Sequence, residues 1–178
     1  LIEYMKSNRS FTFLKDYYIA ENYISGRMGV MKAFFKDNTN DYNDVIHQEE
    51  ERKGISYETL QRKAISLALS QGFIILTGGP GTGKTTTLNA IISLYEQQGM
   101  RVMIAAPTGR AAKRISDLTG YEAKTIHRLL EVGFESEGKL KFIHDENNPI
   151  SCDVLIVDEM SMLDTLLFES LLRAMKLN

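Results

Sequence analysis

The sequence predicts an α/β domain with a parallel sheet over residues 55–178, preceded by a small, mainly helical region over 1–54. Three patterns carry that expectation. In the first, the apolar run Ile74-Ile75-Leu76 is of strand length and leads through a glycine-rich stretch into Leu88, Ile91, Ile92 and Tyr95, which recur at helical spacing. In the second, Gly99 marks the end of that helix and Val102-Met103-Ile104-Ala105-Ala106 reads as another buried strand; strand, helix, strand implies parallel pairing through a right-handed crossover. The third is Asp153-Val154-Leu155-Ile156-Val157-Asp158-Glu159, a near-continuous apolar strand that ends in two carboxylates.

Along the chain, Phe11 and Phe13 suggest an extended segment over 1–14 that packs one face inward. From Lys15 to Phe35 the residues Tyr18, Ile19, Ile24, Met28, Met31 and Phe35 keep near-helical spacing, with a weakening or break expected around Gly26 and Gly29. The aromatics of this helix fit a core or interdomain face better than a base-stacking one. Asp37-Asn38-Thr39-Asn40 reads as a linker, and Asp41 to Lys53 as a short polar helix closed by Gly54, with Glu49-Glu50-Glu51 as a solvated face. Ser56 can cap the following helix, whose apolar side is Leu60, Ala64, Ile65, Leu67, Ala68 and Leu69. Further on, Thr108 can cap a helix, Thr125 to Leu130 reads as a short helix, and residues 133–149 as a turn-rich insertion with a hairpin through 139–143.

Composition sets bounds. The chain of 178 residues holds one ordinary domain, or a domain with an appendage. Charged residues at 25% and apolar ones at 43% are globular values. No apolar run approaches membrane-spanning length and no signal peptide is visible, so a cytoplasmic protein without a membrane partner is expected. A net charge of −2 argues against a uniformly basic nucleic-acid binder. One basic island exists nonetheless: Arg101, Arg110, Lys113, Arg114, Lys124 and Arg128 stand against only Asp117 and Glu122. The single cysteine, Cys152, cannot form an internal disulfide and precedes a buried strand, the setting of a small core thiol. Leu1 in place of Met, and an apolar helix pattern running to Leu177-Asn178, make both ends look cut from a longer protein.

The motifs bring chemistry. Gly78, Gly83, Lys84 and Thr85 meet the template of a phosphate-binding P-loop, which is Gly, four residues, Gly, Lys, Ser/Thr. Its glycines let backbone N–H groups turn inward on a polyphosphate, and the helix that follows aims the positive end of its dipole at the same anion. Gly79, Pro80, Gly81, Thr82, Gly83, Lys84, Thr85 and Thr86 are the candidate nucleotide contacts. Lys84 would meet the β/γ-phosphates and Thr85 the Mg²⁺ ion. A chance glycine-rich turn is the alternative, and the strand and helix on either side weigh against it. Asp158 and Glu159, about 75 residues downstream, complete a Walker B pattern: one acid for the metal's water shell, the next to orient or deprotonate an attacking water. Pro107-Thr108-Gly109-Arg110-Ala111-Ala112-Lys113-Arg114 offers small residues, a hydroxyl and cations at a strand end, features that suit a sugar-phosphate backbone. On composition alone a merely solvated basic helix accounts for it equally well. His127, taken singly, reads as a packed or capping histidine.

In this order the motifs resemble the first motor domain of a superfamily 1 DNA helicase of the RecD-like family, relatives of the exodeoxyribonuclease V alpha subunit. The segment 78–87 resembles its motif I, 106–114 its motif Ia, Ala123-Lys124-Thr125-Ile126-His127-Arg128-Leu129-Leu130 the segment that follows, and Ile156-Val157-Asp158-Glu159-Met160-Ser161-Met162 its motif II; Met160 stands where the family more often has alanine. The resemblance runs from about Ile55 to the C-terminus, and more loosely before it. It implies a RecA-like P-loop NTPase domain and, for the full-length parent, ATP hydrolysis coupled to 5′ to 3′ travel on single-stranded DNA and duplex unwinding in recombination and repair. It further implies ATP and Mg²⁺ as cofactors, Lys84 and Glu159 as catalytic residues, Thr85 and Asp158 at the metal, and Gln61 at the adenine. Thr108, Arg110, Thr125, His127 and Arg128 would contribute DNA or interdomain contacts. Motifs III onward, the second motor domain and its arginine finger are missing from the sequence, and nuclease subunits are conceivable partners. A Pif1-like or relaxase-type helicase shares several of these motifs, and a P-loop regulatory module without motor activity is the reading from another class.

Overall fold

The computed structural model describes residues 1–6, 9–35, 40–134 and 140–176. Parts of the expected 37–40 linker, the tip of the 139–143 hairpin and Leu177-Asn178 lie outside the described residues. The chain opens with an antiparallel hairpin, β1 (Ile2–Lys6) and β2 (Arg9–Phe13), in which Ile2 faces Phe13. Phe13 touches the Tyr18 ring, whereas Phe11 is exposed, so only part of the expected inward face forms. α1 (Lys15–Phe34) follows without interruption. The break expected at Gly26 and Gly29 does not occur. Two helical glycines cost about 1 kcal/mol each against alanine, and the docking of α1 on the last helix, α7 (Thr165–Arg173), offsets it. There Arg173 lies over the Tyr23 ring at 3.8 Å and Arg27 donates to the Met175 carbonyl. The far end of α1 presses Met31 and Phe35 onto Gly72, where any Cβ would collide with the Met31 carbonyl.

α2 (Asn43–Lys53) ends on Gly54 in the left-handed conformation at φ 64°, as its sequence predicts. Its acidic run is not a solvated face. Glu49 is 1% exposed and Glu50 is buried with it; only Glu51 faces solvent. Glu49 pairs with Arg52 at 2.9 Å and Lys53 at 3.0 Å and accepts from Gln97, while Glu50 accepts from the Tyr57 N–H at 2.7 Å and pairs with Arg62. α3 (Thr59–Ser70) is capped by Glu58 and not by Ser56: Glu58 and Gln61 form a reciprocal capping box. Its buried face is Ile65, Ala68 and Leu69, and Leu60 and Leu67 point outward against expectation. With Ile46, Tyr57 and, from α4 (Lys84–Gln97), Ile91 and Leu94, this face forms one core cluster. The packing therefore runs through residue 54.

The sheet has three parallel strands in the order β4 (Ala123–Thr125), β3 (Val102–Ala106), β7 (Val154–Val157). Ala106 pairs with Thr125 on one side, and Ala105 with Val157 on the other. Alternation along the strands divides the core. Ile104 and Ile156 meet Ile92 of α4 and Ile115 of α5 (Gly109–Thr119) on one face. Met103, Ala105, Leu155 and Val157 meet Ile126 and Leu130 of α6 (Ile126–Leu130) and Leu171 of α7 on the other. Both faces are covered, as a parallel sheet requires. Cys152 packs beside this second cluster, half-buried, and burial pushes its thiol up from the usual range. The hairpin expected in the insertion is present as β5 (Val132–Phe134) with β6 (Leu140–Phe142).

One expected strand is absent. Residues 73–78 form no ladder among the described residues, and Ile75 is 78% exposed. An apolar run announces burial, but a strand exists only by pairing. β3 already has β4 and β7 on its two edges, so the parallel pairing expected between 74–76 and 102–106 has no edge to use. Ile74 alone of the run packs against the helical cluster. No helix among the described residues is long and apolar enough to cross a membrane.

Candidate functional site

The glycine-rich loop follows the unpaired segment and ends on α4. Gly81 and Gly83 adopt φ 72° and 78°, a region where side-chain-bearing residues are strained, and Gly83 is the N-terminal cap of α4. Thr82 Oγ1 donates to the Gly79 carbonyl at 2.9 Å, drawing the loop into a tight turn that stays open to solvent from Gly78 to Thr82. The Lys84 ammonium donates to the Gly78 carbonyl and, at 3.1 Å, to that of Gly79, so it folds back across the loop. Thr85 is half-buried in the first turn of α4 and Thr86 exposed beside it. Thr87 is buried and anchors the turn by donating to the Gly83 carbonyl at 3.0 Å.

Gln61 reaches this loop from α3. Its side-chain oxygen accepts from the Glu58 N–H at 2.9 Å, and its Nε2 lies 3.5 Å from the Gly83 carbonyl. A Cβ at Gly83 would run into that amide. Gln61 thus ties α3 to the loop through a capping box that the sequence does not suggest.

The acids come from β7. The Asp158 N–H donates to the Ala105 carbonyl at 3.0 Å, which extends the β3 ladder by one residue and sets the carboxylate at the strand tip. Glu159 then leaves the strand at φ 55° and ψ 41° and caps a 3₁₀ turn, Met160–Met162. That left-handed conformation is uncommon for a glutamate. Its carboxylate receives the Arg114 guanidinium at 2.8 Å, from α5. Ile156, two residues before Asp158, shares its cluster with Leu88 and Ile92, which follow Thr85 on α4. α4 leads into β3, and a helix that runs back along the strand it precedes has its N-terminus at that strand's C-terminal end, the ligand-binding end of an open α/β sheet. Thr85 and Asp158 offer a hydroxyl and a carboxylate, hard oxygen donors. Among the described residues no group of three or more His, Cys, Asp or Glu could cage a metal. One or two protein oxygens completed by phosphates and water is the way proteins hold Mg²⁺, so the residues present fit that ion.

The remaining candidates sit at neighbouring strand ends. Thr108 at the end of β3 caps α5 by accepting from the Ala111 N–H at 3.2 Å, and Thr125 at the end of β4 caps α6 by accepting from that of Arg128 at 3.2 Å. A hydroxyl used in this way keeps its proton to donate. Arg110 and Arg128 are exposed. His127 is exposed as well, and its ring lies 5.9 Å from that of Phe142. Arg114 is the contact that sequence reasoning missed, since nothing local signals a pairing across 45 residues.

A cavity of about 650 Å³ between α1 and α7 lies away from these groups. Tyr23, Arg27, Glu146 and Arg173 line it and are tied to one another or to backbone, so it is a packing seam.

The family profile described as AAA domain matches residues 61–178. The ATP-dependent RecD2 DNA helicase of Deinococcus radiodurans is 45% identical over 123 residues, covering 69% of this chain and 16% of that protein. The RecBCD enzyme subunit RecD of Mycolicibacterium smegmatis is 39% identical over 139 residues, covering 65% and 25%. The ATP-dependent DNA helicase dda of Enterobacteria phage T4 is 41% identical over 102 residues, covering 56% and 23%. The chain thus spans a quarter or less of the length of these relatives. The profile match and the shared identities make this chain a member of the AAA domain family and, within it, a RecD-like protein.

Proposed function

We propose that this chain is the nucleotide-binding part of an ATP-dependent DNA helicase. The observation that carries the reading is a complete P-loop at the start of α4, a helix whose Leu88 and Ile92 share a core cluster with Ile156 of β7, the strand that leads into the two carboxylates. Backbone N–H groups of Gly81 to Lys84 and the Lys84 ammonium would hold the triphosphate, and Gln61 would meet the base. Thr85 and Asp158 would hold Mg²⁺, which would neutralise charge on the phosphates. Glu159 would orient the attacking water and take its proton. Single-stranded DNA would run across Thr108, Arg110 and the segment from Thr125 to Arg128, held by phosphate contacts that carry no sequence information. The names of the relatives, an ATP-dependent DNA helicase and a RecBCD enzyme subunit, support a parent that works on DNA with ATP; 5′ to 3′ travel in recombination or repair, a second motor domain and nuclease subunits are what the motif resemblance adds to this reading.

The test uses the full-length protein that contains this chain, with ATP turnover measured on single-stranded DNA. Glu159→Gln should lower turnover by about 10²- to 10⁴-fold, the usual contribution of a positioned base, while Mg-ATP still binds. Turnover within twofold of the parent in this variant would refute the assignment. Binding without any turnover in the parent would mark a nucleotide-controlled module instead of a motor.

A further inference from the structure

Two charged residues on different elements meet at the proposed base. Arg114 Nη1 lies 2.8 Å from Glu159 Oε1. The side chains are 65% and 34% exposed, so the pair is open to competitors. Pairs of this kind contribute about 0.2–1 kcal/mol, weak enough for a better partner to displace. Arg114 stands one turn after Arg110 on α5, and residues four apart share a helix face. A strand whose phosphates reach Arg110 therefore passes Arg114 as well. A phosphate suits a guanidinium better than this carboxylate does, because it can accept two parallel hydrogen bonds where Glu159 accepts one.

We propose that Arg114 is a positioning residue that restrains Glu159 while the DNA path is empty and gives it up to a backbone phosphate when single-stranded DNA binds. The proposal rests on the functional reading above and adds a link between its two sites. Glu159 is already set apart by its left-handed backbone, which aims the carboxylate at α5 and away from the line of β7. While Arg114 holds it, the carboxylate is occupied by a cation and poorly placed to take a proton from water. Loss of that cation frees it. Linkage requires the converse: whatever weakens the pair must favour the DNA that competes for Arg114.

That converse is measurable on this chain as a double-mutant cycle, with fluorescence anisotropy of labelled oligothymidylate at low salt. E159Q should tighten DNA binding, and it should do so about 1.4- to 5-fold more in the parent background than in the R114A background, the range that an exposed pair is worth. R114A should also reduce the salt slope by about one phosphate contact, and R114K should restore part of the coupling. Equal tightening by E159Q in both backgrounds would overturn the proposal, as would coupling seen only in a parallel titration with Mg-ATP, which would assign Arg114 to the nucleotide. If the parent chain fails to bind oligothymidylate at all, the DNA reading falls and the link falls with it.

Discussion

Glu49 and Glu50 are the residues whose chemistry departs furthest from their appearance in the sequence. Burial pushes the Glu49 carboxyl up, but hydrogen bonds from Lys53, Gln97, Ser93 and Arg52 outweigh it and hold it below the usual carboxylate range. Glu50 is held low first by the Tyr57 N–H and then by the Arg62 guanidinium. A carboxylate with a depressed folded pKa contributes stability that is fully present above its unfolded value, about 4.3, and is lost as pH falls through the lower folded value. Melting temperature should therefore drop on the acid side of about pH 4.3. Glu50→Gln should flatten that limb, and Glu50→Ala should cost about 1–3 kcal/mol at neutral pH by leaving the Tyr57 N–H unsatisfied. An acid limb unchanged in Glu50→Gln would show that the depressed carboxylate lies elsewhere. Arg52 and Lys53 lie on α2 itself, but Tyr57 sits in the loop before α3, and Arg62, Ser93 and Gln97 come from α3 and α4, so nothing in Glu49-Glu50-Glu51 itself could disclose the burial. The left-handed loop glycines Gly81 and Gly83 and the cap Thr108 were legible, because each is defined by its immediate neighbours, whereas the Thr125 cap appears only in the structure.

Elements with local signals formed where their residues predict. Gly54, Gly99 and Gly120 end helices at φ 64°, 75° and 77°, each a left-handed turn that glycine makes without strain. What needs a partner was less legible. α1 is continuous because α7 lies against it, and the run 74–76 pairs with no strand among the described residues although β7 has a neighbour on one side only. α2 is polar in sequence, yet its Ile46 is fully buried among Tyr57, Ile65, Ile91 and Leu94. Ile46→Ala should therefore cost about 2–5 kcal/mol, read as a loss of cooperative stability by the entire α/β unit in chemical denaturation. A separate transition for residues 1–54, with the rest unaffected, would put a domain boundary at Gly54.

For the whole molecule, the sheet is covered by helices on both faces and brings Arg114 of the basic helix to Glu159 after β7, while none of the arginines lies in a segment that resembles the family's arginine-finger motif. Arginines that reach across an interface are worth roughly 10³ to 10⁵ in rate to NTPases. The 178-residue chain should bind nucleotide and turn it over slowly, with no unwinding. DNA-stimulated turnover of several ATP per second, lost in Glu159→Gln, would require an arginine supplied in trans by a second copy.

The central claim is that Mg-ATP binds at the loop between Gly78 and Thr86, and thermal melting with and without the nucleotide tests it most directly. A ligand that binds only the folded state, at 100 times its Kd, adds about 2.7 kcal/mol, which for a chain of this size is a rise of roughly 5–11 °C. The account predicts that rise in the parent chain and its near-complete loss in Lys84→Ala; an equal rise in both would place the nucleotide away from the loop and contradict it.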